Sequence, residues 1–106
     1  ISDLEGIQYC VHAVVMDLSD NAISDLSLLW NLTGLEELNL SGNRIENIET
    51  LGNLRNLKSL NLSHNFVRDI SYLCSLPKLE FLDLCGTRVS EMQIKELEDS
   101  GVVVAF

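Results

Sequence analysis

The chain has 106 residues and a formal net charge of −9, with seven Lys and Arg against sixteen Asp and Glu. Surfaces for phosphate backbones or anionic lipid need clustered basic side chains, so this balance argues against nucleic acid and membrane as partners. With 46% hydrophobic residues, one proline and no apolar run of membrane-spanning length, residues 1–106 read as a single domain with its own core and no membrane insertion.

Residues 1–12 read as an N-terminal cap or partial repeat. Ser2-Asp3-Leu4-Glu5 fits a capping box, with Leu4, Ile7 and Val11 on one helical face. The same stretch also continues a later spacing backwards, because Ile1, Leu4, Ile7 and Cys10 precede Ile23, Leu26, Leu29 and Leu32 by 22 residues each. From residue 13 that spacing governs the chain, giving four copies at 13–34, 35–56, 57–78 and 79–100. Two of them open L-E-E-L-N-L-S-G-N-R-I from Leu35 and L-K-S-L-N-L-S-H-N-F-V from Leu57.

Within each copy the period changes. Leu38 and Leu40, Leu60 and Leu62, and Leu82 and Leu84 alternate as in a strand with one buried face. Afterwards the apolar residues fall three apart, as in Ile45, Ile48, Leu51 and Leu54, or Val67, Ile70, Leu73 and Leu76, which predicts a return of turns or 3₁₀ pieces. No copy can bury its apolar face alone, so the copies must stack. Asn21, Asn43 and Asn65 recur at the strand exit, where an inward amide can pair backbone groups left open by the turn. They are expected to form a structural ladder that ends at Thr87. Trp30, on the return segment, is expected to cover the core edge near Leu28.

At the C-terminal end the spacing drifts: Ile94 and Leu97 are apolar where Lys95 and Glu98 would continue the repeat. With a Ser90-Glu91-Met92-Gln93 capping box and Gly101 beyond, this predicts a capping helix. Residues 101–106 follow as a final strand with Val104 and Phe106 in core slots. The ending reads as nearly complete, the beginning less so.

Chemistry is sparse. Cys10 falls in a core slot, Cys74 on a return segment and Cys85 on the outward side of a strand. An odd number of cysteines without C-x-x-C spacing predicts neither disulfide nor zinc, and no metal or cofactor is expected. His12 and His64 lack a nucleophile and carboxylate at a catalytic spacing, and no nucleotide, EF-hand or metalloprotease motif occurs, so the chain is expected not to be an enzyme. Asn31, Asn39 and Asn61 begin formal glycosylation sequons, and the last two fall out of the repeated N-L-S and read as accidents of the repeat.

The repeated L-x-x-L-x-L-S-x-N-x-I-x-x-I-x-x-L-x-x-L, covering residues 13 to about 90, resembles the 22-residue class of leucine-rich repeats. This class occurs in bacterial internalin-like surface proteins and in the leucine-rich regulatory subunit of protein phosphatase 1. Asn21 onward reads N-A-I-S-D-L-S-L-L, close to the internalin form but without its proline, and Q-I-K-E-L-E from Gln93 looks like a closing helix of that group. The resemblance implies an α/β solenoid: a curved parallel sheet on the concave face, turn and 3₁₀ returns on the convex face, and a C-terminal capping helix. It further implies a protein partner held on the concave face.

Alternation then names the candidate contacts. Residues between the inward leucines line the sheet surface: Val15, Glu37, Ser59, Phe81 and Val103 in one column, Asp17, Asn39, Asn61, Asp83 and Ala105 in the next. Val14, Glu36, Lys58, Glu80 and Val102 stand beside them. Phe81 is the expected anchor, because exposed aromatics concentrate binding energy. The face is acidic apart from Lys58, which suits a basic partner. Five strands about 4.8 Å apart offer roughly 300 Å², against about 800 Å² for an ordinary stable interface, so the chain reads as a slice of a longer solenoid. It is expected to be monomeric, with the exposed first strand able to self-associate. Two alternatives remain, a recognition arm of a larger enzyme assembly (phosphatase regulator or ligase adaptor) and a spacer without ligand. The compartment stays open: internalin likeness implies the cell surface or secretion, while unpaired, buried thiols mildly favour a reducing cytoplasm.

Overall fold

The computed structural model describes residues 4–106, so Ile1 and the Ser2 end of the capping box lie outside the described residues. Five short strands form one sheet: β1 (Val15–Asp17), β2 (Glu37–Asn39), β3 (Ser59–Asn61), β4 (Phe81–Asp83) and β5 (Val103–Ala105). All neighbours pair in parallel in sequence order, and the register runs Val15, Glu37, Ser59, Phe81, Val103 across the sheet. One period of sequence is therefore one step of sheet. The returns are 3₁₀ turns at Ile7–Tyr9, Ser27–Leu29, Glu49–Asn53 and Ser71–Ser75. A nine-residue helix, α1 (Glu91–Asp99), takes their place before β5.

The core lies between sheet and returns. Leu38, Leu60 and Leu82 meet it from the strands, and Ile48, Leu51, Leu54, Ile70 and Leu73 meet it from the opposite side. Each such side chain contacts the coils before and after its own, which is why a three-residue strand suffices. At the last coil the helix is defined at both ends. Ser90 Oγ accepts from the Gln93 N–H at 3.3 Å. Gly101, at φ +104°, donates to the Glu98 carbonyl at 3.0 Å while Val102 donates to that of Leu97 at 3.4 Å. These two bonds make a Schellman C-cap. Ile94 and Leu97 are the buried face, and the Gln93 side chain ties the helix to the previous coil through the Ile70 N–H at 3.0 Å.

A second column marks the strand exits. Asp20, Gly42, His64 and Gly86 occupy one repeat position and all have positive φ, between 56° and 76°. Glycine takes this conformation freely, and Asp and His tolerate it better than most side chains. The two glycines are also seats: a Cβ on Gly86 would lie 2.6 Å from His64 Nδ1, and one on Gly42 would collide with the Asp20 carboxylate.

Several expectations are corrected. The N-terminal stretch is a 3₁₀ turn rather than a helix, with Val11 exposed, because Gly6 at φ +98° interrupts helical geometry after Leu4. Cys10 is exposed, not a core residue, since its coil has a described neighbour on one side only. The argument from buried thiols falls with it, because Cys74 is exposed and Cys85 half-buried. Trp30 is 60% exposed and covers no core. Burial on that return follows Leu26, Leu29 and Leu32, three apart, and Trp30 stands one residue off that stripe. Phe106 is 69% exposed rather than in a core slot, while Val102 turns inward instead of joining the sheet surface.

Candidate functional site

Strand alternation divides the sheet surface into columns with different fates. Val15, Phe81 and Val103 are 63%, 38% and 65% exposed, with Glu37 exposed and Ser59 half-buried in the same column. Three apolar side chains therefore face solvent where packing does not require them. A depression of ≈ 290 Å³ lies over β1 to β4, lined by Val15, Asp17, Glu37, Asn39, Ser59, Asn61 and Phe81 among others. At its margin Lys58 Nζ meets Glu36 Oε1 at 3.2 Å, with both side chains partly exposed. Such a pair contributes at most about 1 kcal/mol. It satisfies the one base near an otherwise acidic face.

The next column is less free than alternation suggests. Asp17 Oδ1 accepts the Ser19 N–H at 2.9 Å, Asn39 that of Ser41 at 3.0 Å, Asn61 that of Ser63 at 3.0 Å and Asp83 that of Cys85 at 3.0 Å. Each is an Asx turn that bends the chain out of its strand. The Ser19 hydroxyl and amide hold the Asp17 carboxyl below its ordinary range. Hydrogen bonding to Asp83 pushes the Cys85 thiol up, and burial does the same to Cys74, so neither is poised as a thiolate. These turns fix the orientation of the four side chains on the sheet surface.

The asparagine column turns inward. Asn43 Oδ1 accepts from the Asn21 and Ile23 N–H groups at 3.2 and 3.1 Å, and Asn65 Oδ1 from Ile45 at 3.0 Å. Asn65 Nδ2 donates to the Leu40, Leu62 and Ser63 carbonyls at 2.8, 3.2 and 3.2 Å. Asn21 Nδ2 donates to Leu18 and Ser19. Thr87 keeps one such contact, to the Leu84 carbonyl at 2.7 Å. Amides spent in this way are not available to a ligand.

Alternation also continues beyond the asparagines. Ile23, Ile45 and Val67 are buried, so Arg44, Phe66 and Arg88 stand outward at one repeat position, and Phe66 is 55% exposed. The signal was the same period of two, read one turn later. Elsewhere, Ser24, Asp25, Ser27, Asn47 and Glu49 help line a polar depression of ≈ 360 Å³ on the return side, whose Asp25 and Asn47 are themselves Asx turns. His12 and His64 are both exposed. Among the described residues no cluster of His, Cys, Asp and Glu could hold a metal ion, and no helix is long and apolar enough to cross a membrane.

Comparison with known proteins agrees with this architecture. A family model described as leucine-rich repeats in two copies matches residues 14–53 and 55–99. An internalin (inlF) from Listeria monocytogenes superposes at a TM-score of 0.85 with 28% identity, over 92% of this chain and 29% of that one. Internalin C2 from the same organism gives 0.82 and 31%, over 85% and 40%. A leucine-rich repeat protein of Leptospira interrogans shares the fold at 0.73 and 19% identity, over 100% and 34%. This chain thus spans well under half the length of each. None of the curated proteins matches it.

Proposed function

The chain belongs to the leucine-rich repeat family, whose domains generally mediate protein–protein contact and are typically non-catalytic, and on that footing we propose that it holds a protein partner on its concave sheet face. The observation that carries this reading is the outward column of Val15, Phe81 and Val103 on an acidic surface. Apolar side chains held on a rigid sheet lose little backbone freedom when a partner covers them, and aromatic anchors concentrate binding energy. Asp17, Glu37 and Asp83 around them favour a partner with basic groups beside an apolar knob. The geometry offers binding and orientation, and we assign it no reaction.

Five three-residue strands are less than a standard interface needs. The internalins matched here extend well beyond the matched region, and a face continued over further coils would reach that size. As it stands, the chain is read as a monomer whose β1 edge leaves strand hydrogen-bonding groups open.

Affinity capture with three immobilised forms tests the reading. Phe81→Ser should lose about tenfold of any partner retained by the unaltered chain, and Trp30→Ser should lose none. A partner that survives Phe81→Ser but not Trp30→Ser would move the site to the returns.

A further inference from the structure

Three of the four arginines in this acidic chain gather on one outer strip that the sheet-face reading does not use. The strip begins one residue past the asparagines. The Arg44 N–H donates to the Ile23 carbonyl at 2.9 Å, that of Phe66 to Ile45 at 2.9 Å and that of Arg88 to Val67 at 3.4 Å. These bonds bring successive coils to strand-like spacing, so Arg44, Phe66 and Arg88 are about 4.8 Å apart along one column. Arg68 stands two residues beyond Phe66 on the same side, with Val67 buried between them. All four side chains are exposed.

We propose that this strip docks an extended acidic segment of a protein partner, its carboxylates taken by Arg44, Arg68 and Arg88 and one apolar side chain resting on Phe66. Charge complementarity carries the choice of occupant. Among the described residues none of the three arginines has a carboxylate within salt-bridge distance, although acidic residues outnumber basic ones by more than two to one. Glu46 is the one acid in the two columns, and it too is unpaired. Arginine rather than lysine suits the task, since its planar fork takes a carboxylate in two bonds and stacks on a ring. A long polyanion such as RNA fits less well. It would have to pass Glu46 and the bordering Asp69 and Glu91 on a molecule of net charge −9. The strip is separate from the concave face, so the two readings stand or fall independently.

The test is an NMR titration of the whole chain at low salt. The probes are a short synthetic peptide of Asp and Glu around one Leu, its Lys counterpart and a short oligouridylate. With the acidic peptide, the Nε–Hε resonances of Arg44, Arg68 and Arg88 and the ring resonances of Phe66 should shift together, while those of Arg55 stay. The pair Arg44→Glu and Arg88→Glu should weaken the peptide about tenfold, and Phe81→Ser should leave it unchanged. Both altered positions are on the surface, and the unaltered chain already gives the decisive readout without them. Unmoved arginine resonances, shifts confined to the sheet face, or a stronger response to the oligouridylate would each overturn the proposal.

Discussion

Asn65 is the side chain on which the strand exit most depends. It is buried, receives the Ile45 N–H and donates to three carbonyls from two coils. Asn65→Ala strands several of those groups at once, so a loss on the order of 3 kcal/mol is expected in urea unfolding. Thr87→Ala, at the same repeat position with a single bond to Leu84, should cost about 1 kcal/mol. Equal losses would mean that the ladder is not cooperative. At this scale the sequence was legible where a column repeats, because Asn21, Asn43 and Asn65 announce themselves by register alone. It was less legible for Asp17, Asn39, Asn61 and Asp83. Alternation says only that these point outward, whereas their hydrogen bonds two residues ahead follow from turn chemistry that Asp and Asn share with many exposed positions.

At the scale of elements, each coil is a strand too short to persist alone, closed by a return held only through its neighbours. α1 breaks that rule, and the break could be read from Ile94 and Leu97 displacing the three-residue spacing. Its energetics should divide accordingly. Leu97→Ala opens a cavity against the last coil and should cost about 3 kcal/mol, while Ser90→Ala removes one cap bond and should cost about 1 kcal/mol. Guanidinium unfolding followed by circular dichroism measures both, and a larger loss from Ser90→Ala would reverse the assignment of packing over capping. The first turn went the other way. Its capping-box pattern suggested a helix, but Gly6 and the spacing of Leu4 and Ile7 favoured a 3₁₀ turn on the neighbouring coil.

At the scale of the whole molecule, charge and turns oppose each other as pH falls. Asp25 and Asp69 are held below the ordinary 3.8 by the Ser27 and Ser71 amides and hydroxyls, as Asp17 is by Ser19. A carboxyl depressed in the fold contributes stability that is present above the unfolded value and is lost as pH drops through the depressed one. Self-repulsion among excess carboxylates acts in the other sense, easing as the first of them protonate. The urea midpoint should therefore rise on mild acidification and fall once the pH passes below about 4. Replacing Asp17, Asp25 and Asp69 together by Asn should flatten the falling limb, since a neutral amide keeps the turn without titrating. An unchanged limb would place the acid sensitivity elsewhere. The fold was open to sequence reading because one rule repeats four times, whereas the binding surface was only half open. Alternation located Phe81, but the Arg44–Phe66–Arg88 strip needed the bonds between coils to show that distant residues adjoin.

The seats at the strand exits limit how such a chain can lengthen. Asp20 lies over Gly42 and His64 over Gly86, so a bulky residue alternates with a bare one from coil to coil. Doubling the Asp20 or His64 coil on its own would press two side chains into a place shaped for one, and doubling a glycine coil would leave the place vacant. Growth by coils taken two at a time keeps every knob above its hollow, which makes the pair, rather than the 22-residue unit, the natural quantum for grafting or duplication.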